Sequence, residues 1–491
     1  MASLLNLPDE LILEILSYID CLDHRLRTAS LRNISLVNRR LHNLNEPYLY
    51  STFSFFAGVP YLFLRTICQN QDLARCVKVV EWDYDINAQE TLNYTPGVLA
   101  VKENFRLDGV HDKLSEMSAR GNDVTKWIQE EVKIGRLYLG DLRALYILLF
   151  FATNVEHMAV AETWRWDDYL YWFMPLDHHH TNALSRLTSA TLNGPMRLQN
   201  ITALLIIPTM RFLELTGVIE MHREMDRTFD WDERPREDIL AKSKSNIEHF
   251  HLYRSYVDID DVIVAVRHMK GLKSFLYQHE MDDISNGYIP LNIRALSELI
   301  KSQAHSLTSL HILDEEGWST REDFKGFQDP VIVYKTAQSL PNLVNLEISL
   351  NLSSKISHSI SEMNLVHTPE WQDIPLSLEC LTLDLVVIER YDEDCDFMNF
   401  QQSLESLAAQ KRRGELPNLR ELALKRWHPW YGCVPPNVGY IKALLQDAGI
   451  QFSSVPAMIG SCGFNNVDIG WVELQTEPDW VLIEVYRVDV A

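Results

Sequence analysis

The chain has 491 residues, 46% apolar and 23% charged, which is ordinary globular usage and excludes a largely disordered, collagen-like or simple coiled-coil protein. With 45 Lys and Arg against 68 Asp and Glu, the net charge of −23 argues against a general nucleic-acid binder, because phosphate contacts need basic side chains. The seven cysteines are odd in number, scattered and without a CxxC pair, as expected of reduced thiols rather than a disulfide framework.

The first residues carry Asp9, Glu10 and Glu14 where a signal peptide would have a basic start and an unbroken apolar run. The longest apolar run, 144–152, is far short of the ~20 residues that cross a bilayer. These features predict a soluble intracellular protein, cytoplasmic and/or nuclear, with no membrane contact.

Pro8 suits a first helical position, and Asp9 and Glu10 favour the positive end of a helix dipole. Leu11, Ile12, Ile15, Leu16 and Ile19 follow at helical period, predicting one broad apolar face. A second helix is predicted near 35–43, with Leu36, Val37 and Leu41 in its apolar set and Pro47 as its stop; residues 48–53 then form an apolar, extended exit. About fifty residues of short helices bury little surface alone, so the segment reads either as a cap on the next domain or as a docking module.

LPDELILEILSYI followed by SLVNRRLHNLNEPYLYSTF resembles an F-box of the style common among fungal F-box proteins. The shared features are the Leu-Pro opening with an acidic residue two places on, the Ile-Leu pair, the Leu-Val-x-Arg-Arg-Leu helix and the Pro-x-Leu-Tyr exit. The resemblance implies an all-helical F-box over 1–55 that binds a Skp-family adaptor, and through it a cullin–RING ligase. Leu7, Pro8, Leu11, Ile15, Leu16, Leu36, Val37 and Leu41 would be buried in part against that adaptor. The link 20–33 is several residues longer than the family's, which predicts a displaced or irregular middle helix.

Downstream, the pattern apolar-x-x-apolar-x-apolar recurs. Its clearest copies start at Leu307, Leu343, Leu378 and Leu419, with weaker ones at Val77, Val155, Met210, Ile247 and Leu272. Two copies share a Pro-Asn lead-in, Pro341-Asn342 and Pro417-Asn418. Helical patterning fills the gaps at 258–269, 293–303, 331–339 and 400–411. Repeated strand–helix units predict an α/β fold: a leucine-rich-repeat-like solenoid over 56–491, with parallel strands on the concave side and helices on the convex side. The consensus Asn of leucine-rich repeats is mostly missing, so the resemblance is to the degenerate repeats that accompany F-boxes; an ordinary βα sheet is the alternative. Inserts are expected near 85–141 and 220–246. A cap is expected from about 439, with a helix at 440–447 and a β-rich finish carrying Trp471, Trp480 and Tyr486.

No GxGxxG, Walker A, HExxH or GxSxG motif is present. Gly460-Ser461-Cys462-Gly463 lacks a base placed by sequence, His178-His179-His180 reads as a solvated loop, and the acidic run at 392–396 lacks the glycine and terminal Glu of an EF-hand. No catalytic residue, metal or cofactor is therefore expected.

Strand alternation puts the residues between the repeat leucines on the concave face. A protein substrate is expected there, with His249, His251, Tyr253 and His311 nearest the contact and the charged insert 220–246 as a competing recognition loop. The same alternation predicts that Leu346→Ala or Leu422→Ala is costly while Glu347→Ala or Glu421→Ala is near neutral. The function expected is substrate recognition in an SCF-type ubiquitin ligase; a non-ligase F-box scaffold and an enzyme of unrecognised chemistry are the alternatives.

Overall fold

The computed structural model describes residues 7–22, 24–54, 60–84, 151–162, 184–196, 198–219, 245–257, 259–279, 293–314, 336–351, 374–386, 397–427 and 438–456, with 145, 148, 149 and 240. The expected 85–141 insert, most of 220–246, and the segments around His178, Asp392, Gly460 and Trp471 onward lie outside these residues.

Three helices open the chain: α1 (Asp9–Asp20), α2 (His24–Ser35) and α3 (Arg39–Leu49). Ile12, Leu16, Leu31 and Leu41 form their common core. The long link folds as a regular helix, contrary to the sequence expectation: Leu31 is buried and Ile34 packs on the module core, while the buried Arg27 is polar, so few apolar positions signal the helix in advance. The second predicted helix starts later and runs further than expected. Asn38 caps α3 by accepting from the Leu41 N–H (2.8 Å), and Pro47 sits inside the helix instead of ending it. Pro47 deletes only its own donor there, and Tyr48 and Leu49 pack onto the module core to hold the last turn.

Strand β1 (Thr52–Ser54) follows, then α4 (Pro60–Gln69), α5 (Gln71–Cys76) and β2 (Val79–Tyr84). The array continues with β3 (His157–Glu162), β4 (Ser189–Met196), β5 (Phe212–Val218), β6 (His249–Ser255), α6 (Ile259–Arg267), β7 (Ser274–His279), α7 (Ile293–Ser302) and β8 (Ser309–Asp314). It ends with β9 (Asn345–Asn351), β10 (Cys380–Val386), α8 (Phe397–Arg412), β11 (Glu421–Trp427), α9 (Val438–Asp447) and β12 (Gln451–Pro456). The twelve strands form one sheet in chain order, every neighbouring pair parallel. Order and direction are those of an α/β solenoid.

The repeat pattern becomes one continuous row of buried side chains: Phe53, Val80, Met158, Ala190, Leu213, Phe250, Phe275, Leu310, Leu346, Leu381, Leu422 and Phe452 are register partners in succession. Apolar residues of α6, α7, α8 and α9 join the same core, so the helices cover this face. Truncating Leu346, fully packed in this row, costs about 2–5 kcal/mol.

Strands β2 to β11 are entered in the same way. Two successive N–H groups donate to one carbonyl of the preceding repeat, as Thr308 and Ser309 do to Lys273, and Val344 and Asn345 do to Thr308. The Asn of the lead-in has a matching role one residue before the first apolar position. Its amide donates back to the previous repeat, from Asn154 to Arg75 O, Asn246 to Pro208 O, Asn342 to His305 O and Asn418 to Leu376 O (2.8–2.9 Å). Residues 438–456 supply a helix over Val438–Asp447, where one is expected at 440–447, and a strand paired with β11.

Candidate functional site

The face opposite the helices carries Phe212, Glu214, His249, His251, Tyr253, His311 and Glu347, as strand alternation requires. Glu214, His251, Leu276, His311, Glu347 and Thr382 are successive register partners and form one row across β5 to β10. The four residues predicted to contact substrate therefore lie together, three on β6 and one on β8.

The two ends of this row differ. At the C-terminal end His311 Nδ1 donates to Glu347 Oε2 (2.7 Å), and Lys425 Nζ donates to Glu347 Oε1 (2.6 Å). The Nε2 of the same ring lies 2.7 Å from Ser309 Oγ. Glu347 is only 6% exposed, which corrects the expectation that its truncation is near neutral. Burial raises its pKa, but the hydrogen bonds from His311 and Lys425 outweigh that and hold it below the usual carboxylate range. Next to it Ser349 Oγ donates to the buried Asp384 (3.1 Å).

Ser309, His311 and Glu347 have the connectivity of nucleophile, base and orienting carboxylate. Acyl transfer also needs donors aimed at the developing oxyanion. The Ser309 N–H is committed to Lys273 O (2.9 Å), and Lys425 shares the carboxylate. The chain of contacts thus braces β8, β9 and β11 electrostatically.

At the other end the groups are aromatic. The Phe212 ring meets His251 edge-on at 5.3 Å, and His251 meets Tyr253 in the same way at 6.2 Å. His251 Nε2 engages Ser274 Oγ (2.9 Å). Burial, with His311 and His249 nearby, pushes the His251 pKa down to about 4, so the ring is neutral at pH 7. Burial also raises Glu214, and it raises Tyr253 together with Glu214 and Glu347. Tyr253 precedes a break in the ladder. Gly194, Gly217 and Arg254 follow register partners on β4, β5 and β6, and all have positive φ. Two of these positions use Gly, whereas Arg254 (φ 46°) bears a left-handed cost of about 1–2 kcal/mol.

The helical module presents a second surface. Ile12, Leu16 and Ile19 turn inward, while Leu11, Ile15 and Tyr18 form an exposed apolar stripe at helical spacing on α1, with the exposed Leu22 just beyond its end. Of the ten exposed large apolar side chains among the described residues, eight lie between Leu11 and Val37. Leu36 and Val37, 76% and 56% exposed, occupy the turn before α3. Arg40 donates to Leu7 O (2.7 Å) and pairs with Asp9, which ties the start of α1 to the start of α3 close to that turn.

Residues 4–55 match the F-box-like family. No curated protein matches the chain. Of the residues expected to meet an adaptor, the F-box-like domain exposes Pro8, Leu11, Ile15, Leu36 and Val37 and half-buries Leu7. It places Leu16 and Leu41, each 1% exposed, in its own core, where they hold α1 to α3 and offer no surface. Tyr18, Leu22 and Leu26 were not anticipated; Tyr18 and Leu22 continue the spacing of Leu11 and Ile15 at i+7 and i+11. Among the described residues no group of His, Cys, Asp or Glu is arranged to hold a metal, and no helix is long and apolar enough to cross a membrane. Cys21, Cys68, Cys76 and Cys380 are free thiols.

Proposed function

We propose that this chain is the substrate-recognition subunit of an SCF-type cullin–RING E3 ubiquitin ligase. The observation that carries the reading is the concentration of exposed apolar side chains on the F-box-like domain, since clustered apolar exposure marks a protein partner. In this role the patch binds a Skp-family adaptor, and the array, a degenerate leucine-rich-repeat solenoid, offers its helix-free concave face to a protein substrate. The chain does no chemistry of its own. It raises the effective concentration of a substrate lysine beside a charged ubiquitin-conjugating enzyme. It works in the cytoplasm or nucleus.

Leu36→Asp with Val37→Asp tests the adaptor step, because both side chains are exposed and the module's core is untouched. The double variant is expected to lose co-purification of the Skp-family protein while the far-ultraviolet circular dichroism stays unchanged; undiminished co-purification rejects the docking surface. Ubiquitin transfer that depends on the adaptor then separates a ligase subunit from a non-ligase scaffold.

A further inference from the structure

Two carboxylates share one row of the face opposite the described helices, four strands apart, and their surroundings are opposite. Glu347 is paired with the Lys425 ammonium and accepts a hydrogen bond from His311. Glu214 has no hydrogen-bond or ion-pair partner among the described residues, although it is half-buried. Its register partner is His251, and Phe212 and Thr216 are its open-face neighbours on β5, opposite His249 and Tyr253 on β6. We infer that Glu214, walled by Phe212, His251 and Tyr253, is a receptor for one arginine side chain carried by a protein substrate. The inference rests on the substrate-receptor reading for the nature of its occupant and assigns that occupant's chemistry.

Three features point to a guanidinium. A half-buried carboxylate with no counter-charge among the described residues forms strong charge-assisted hydrogen bonds with an incoming cation, because little water must be displaced from it. The walls are ring systems, and a guanidinium stacks on aromatic faces while its edge reaches a carboxylate; an ammonium is more strongly hydrated and does this less well. The neighbouring imidazole adds no opposing charge, since His251 is neutral at pH 7 and its Nε2 is engaged by Ser274. The chain's net charge of −23 favours a basic segment over an acidic one at long range.

Selection of a random-sequence peptide library on the full-length chain tests the inference directly. Arg is expected to be enriched at one position of the selected peptides by about tenfold, with Lys less so. Glu214→Gln, nearly isosteric, should abolish that enrichment while the thermal unfolding midpoint is retained, and Glu214→Lys should invert it toward Asp and Glu. A selection without a basic position, or one whose basic preference survives Glu214→Gln, overturns the assignment. Preference for Lys over Arg overturns the guanidinium choice. Adaptor co-purification is scored separately on the same variants, so failure of the Glu214 assignment is distinguishable from failure of the ligase reading.

Discussion

The Glu347 node offers the sharpest test of the array's electrostatics. Its side chain is 8% exposed, and the carboxylate receives two short hydrogen bonds, from Lys425 Nζ and His311 Nδ1. A hydrogen bond to a charged group contributes about 1.5–3 kcal/mol, and the half-exposed ammonium places the Lys425 contact at the lower end. Lys425→Met should therefore cost about 1–2 kcal/mol, because the carboxylate keeps His311. Glu347→Gln should cost a similar amount, and Glu347→Ala about 2–4 kcal/mol, since it also opens a cavity and strands His311. Once the amide is in place the lysine has no charge to serve, so the double variant Glu347→Gln, Lys425→Met should cost little more than either single change.

Hydrogen exchange at the amides of β8 to β11 reads this locally, which matters because repeat arrays need not unfold in one step. A loss of 1.4 kcal/mol appears as about tenfold faster exchange. Additive losses in the double variant, or changes spread evenly over all strands, refute the node. The held-down carboxyl also fixes a pH window. Its contribution is present above its ordinary value of 4.5 and disappears only as pH falls below that toward the lowered native value.

His279 titrates in a different window. Its ring is buried on the helix side of β7 with Nδ1 against the Tyr277 hydroxyl (3.1 Å), and burial lowers its pKa from 6.5 to about 4. The unfolded chain gains a proton below pH 6.5 that the native state refuses, so stability present at pH 7 falls by about 2 kcal/mol at pH 5. His279→Phe should remove that part of the slope between pH 7 and 5 in thermal unfolding, and an unchanged slope would contradict the assignment. Arg27, 4% exposed, serves Asp20, Tyr48 O and Ser51 Oγ at 2.7 Å each. Arg27→Met should cost about 2–4 kcal/mol, seen as faster exchange over residues 24–54 with β5 to β9 unchanged; uniform loss would argue against a local junction.

Strand periodicity is most legible where both inward positions are large, as in Leu346 and Ile348. β4 escaped because Ala190 occupies the inward position between Leu187 and Leu192, too small to register as apolar pattern although it is fully buried. β12 escaped because Ser454 stands where Leu424 has its partner. The open face followed from alternation alone, so His249, His251, Tyr253 and His311 were placed together. The fate of Glu347 was not legible, because Lys425 lies 78 residues further along and reaches it across an intervening strand. Within the F-box-like domain, helical period fixed α1 but could not divide its apolar residues. Leu16 faces the core and Ile15 the solvent for reasons that depend on where α2 and α3 cross.

The junction between the F-box-like domain and the array bears on how such a receptor would work. The last turn of α3 leads into β1 within three residues, and the Ser51 carbonyl accepts from the N–H groups of Lys78 and Val79 (2.7 and 3.0 Å). Arg27 holds the Ser51 hydroxyl from the domain's side. Phe63 of α4 packs on Tyr50 at 5.5 Å and on Phe53 at 5.0 Å, and Phe53 stacks on Trp82 at 5.5 Å. The domain is thus hydrogen-bonded and packed into the first repeats of the sheet. Effective concentration falls when a linker is free to explore volume, and it is retained when the span is set by packed structure. With strands about 4.8 Å apart, the row from Glu214 to Glu347 lies roughly 20–40 Å along the sheet from β1. In the proposed role, a substrate held there would be presented at a distance set by the number of repeats before it, so inserting or deleting a repeat would move the bound segment relative to the adaptor without altering either surface.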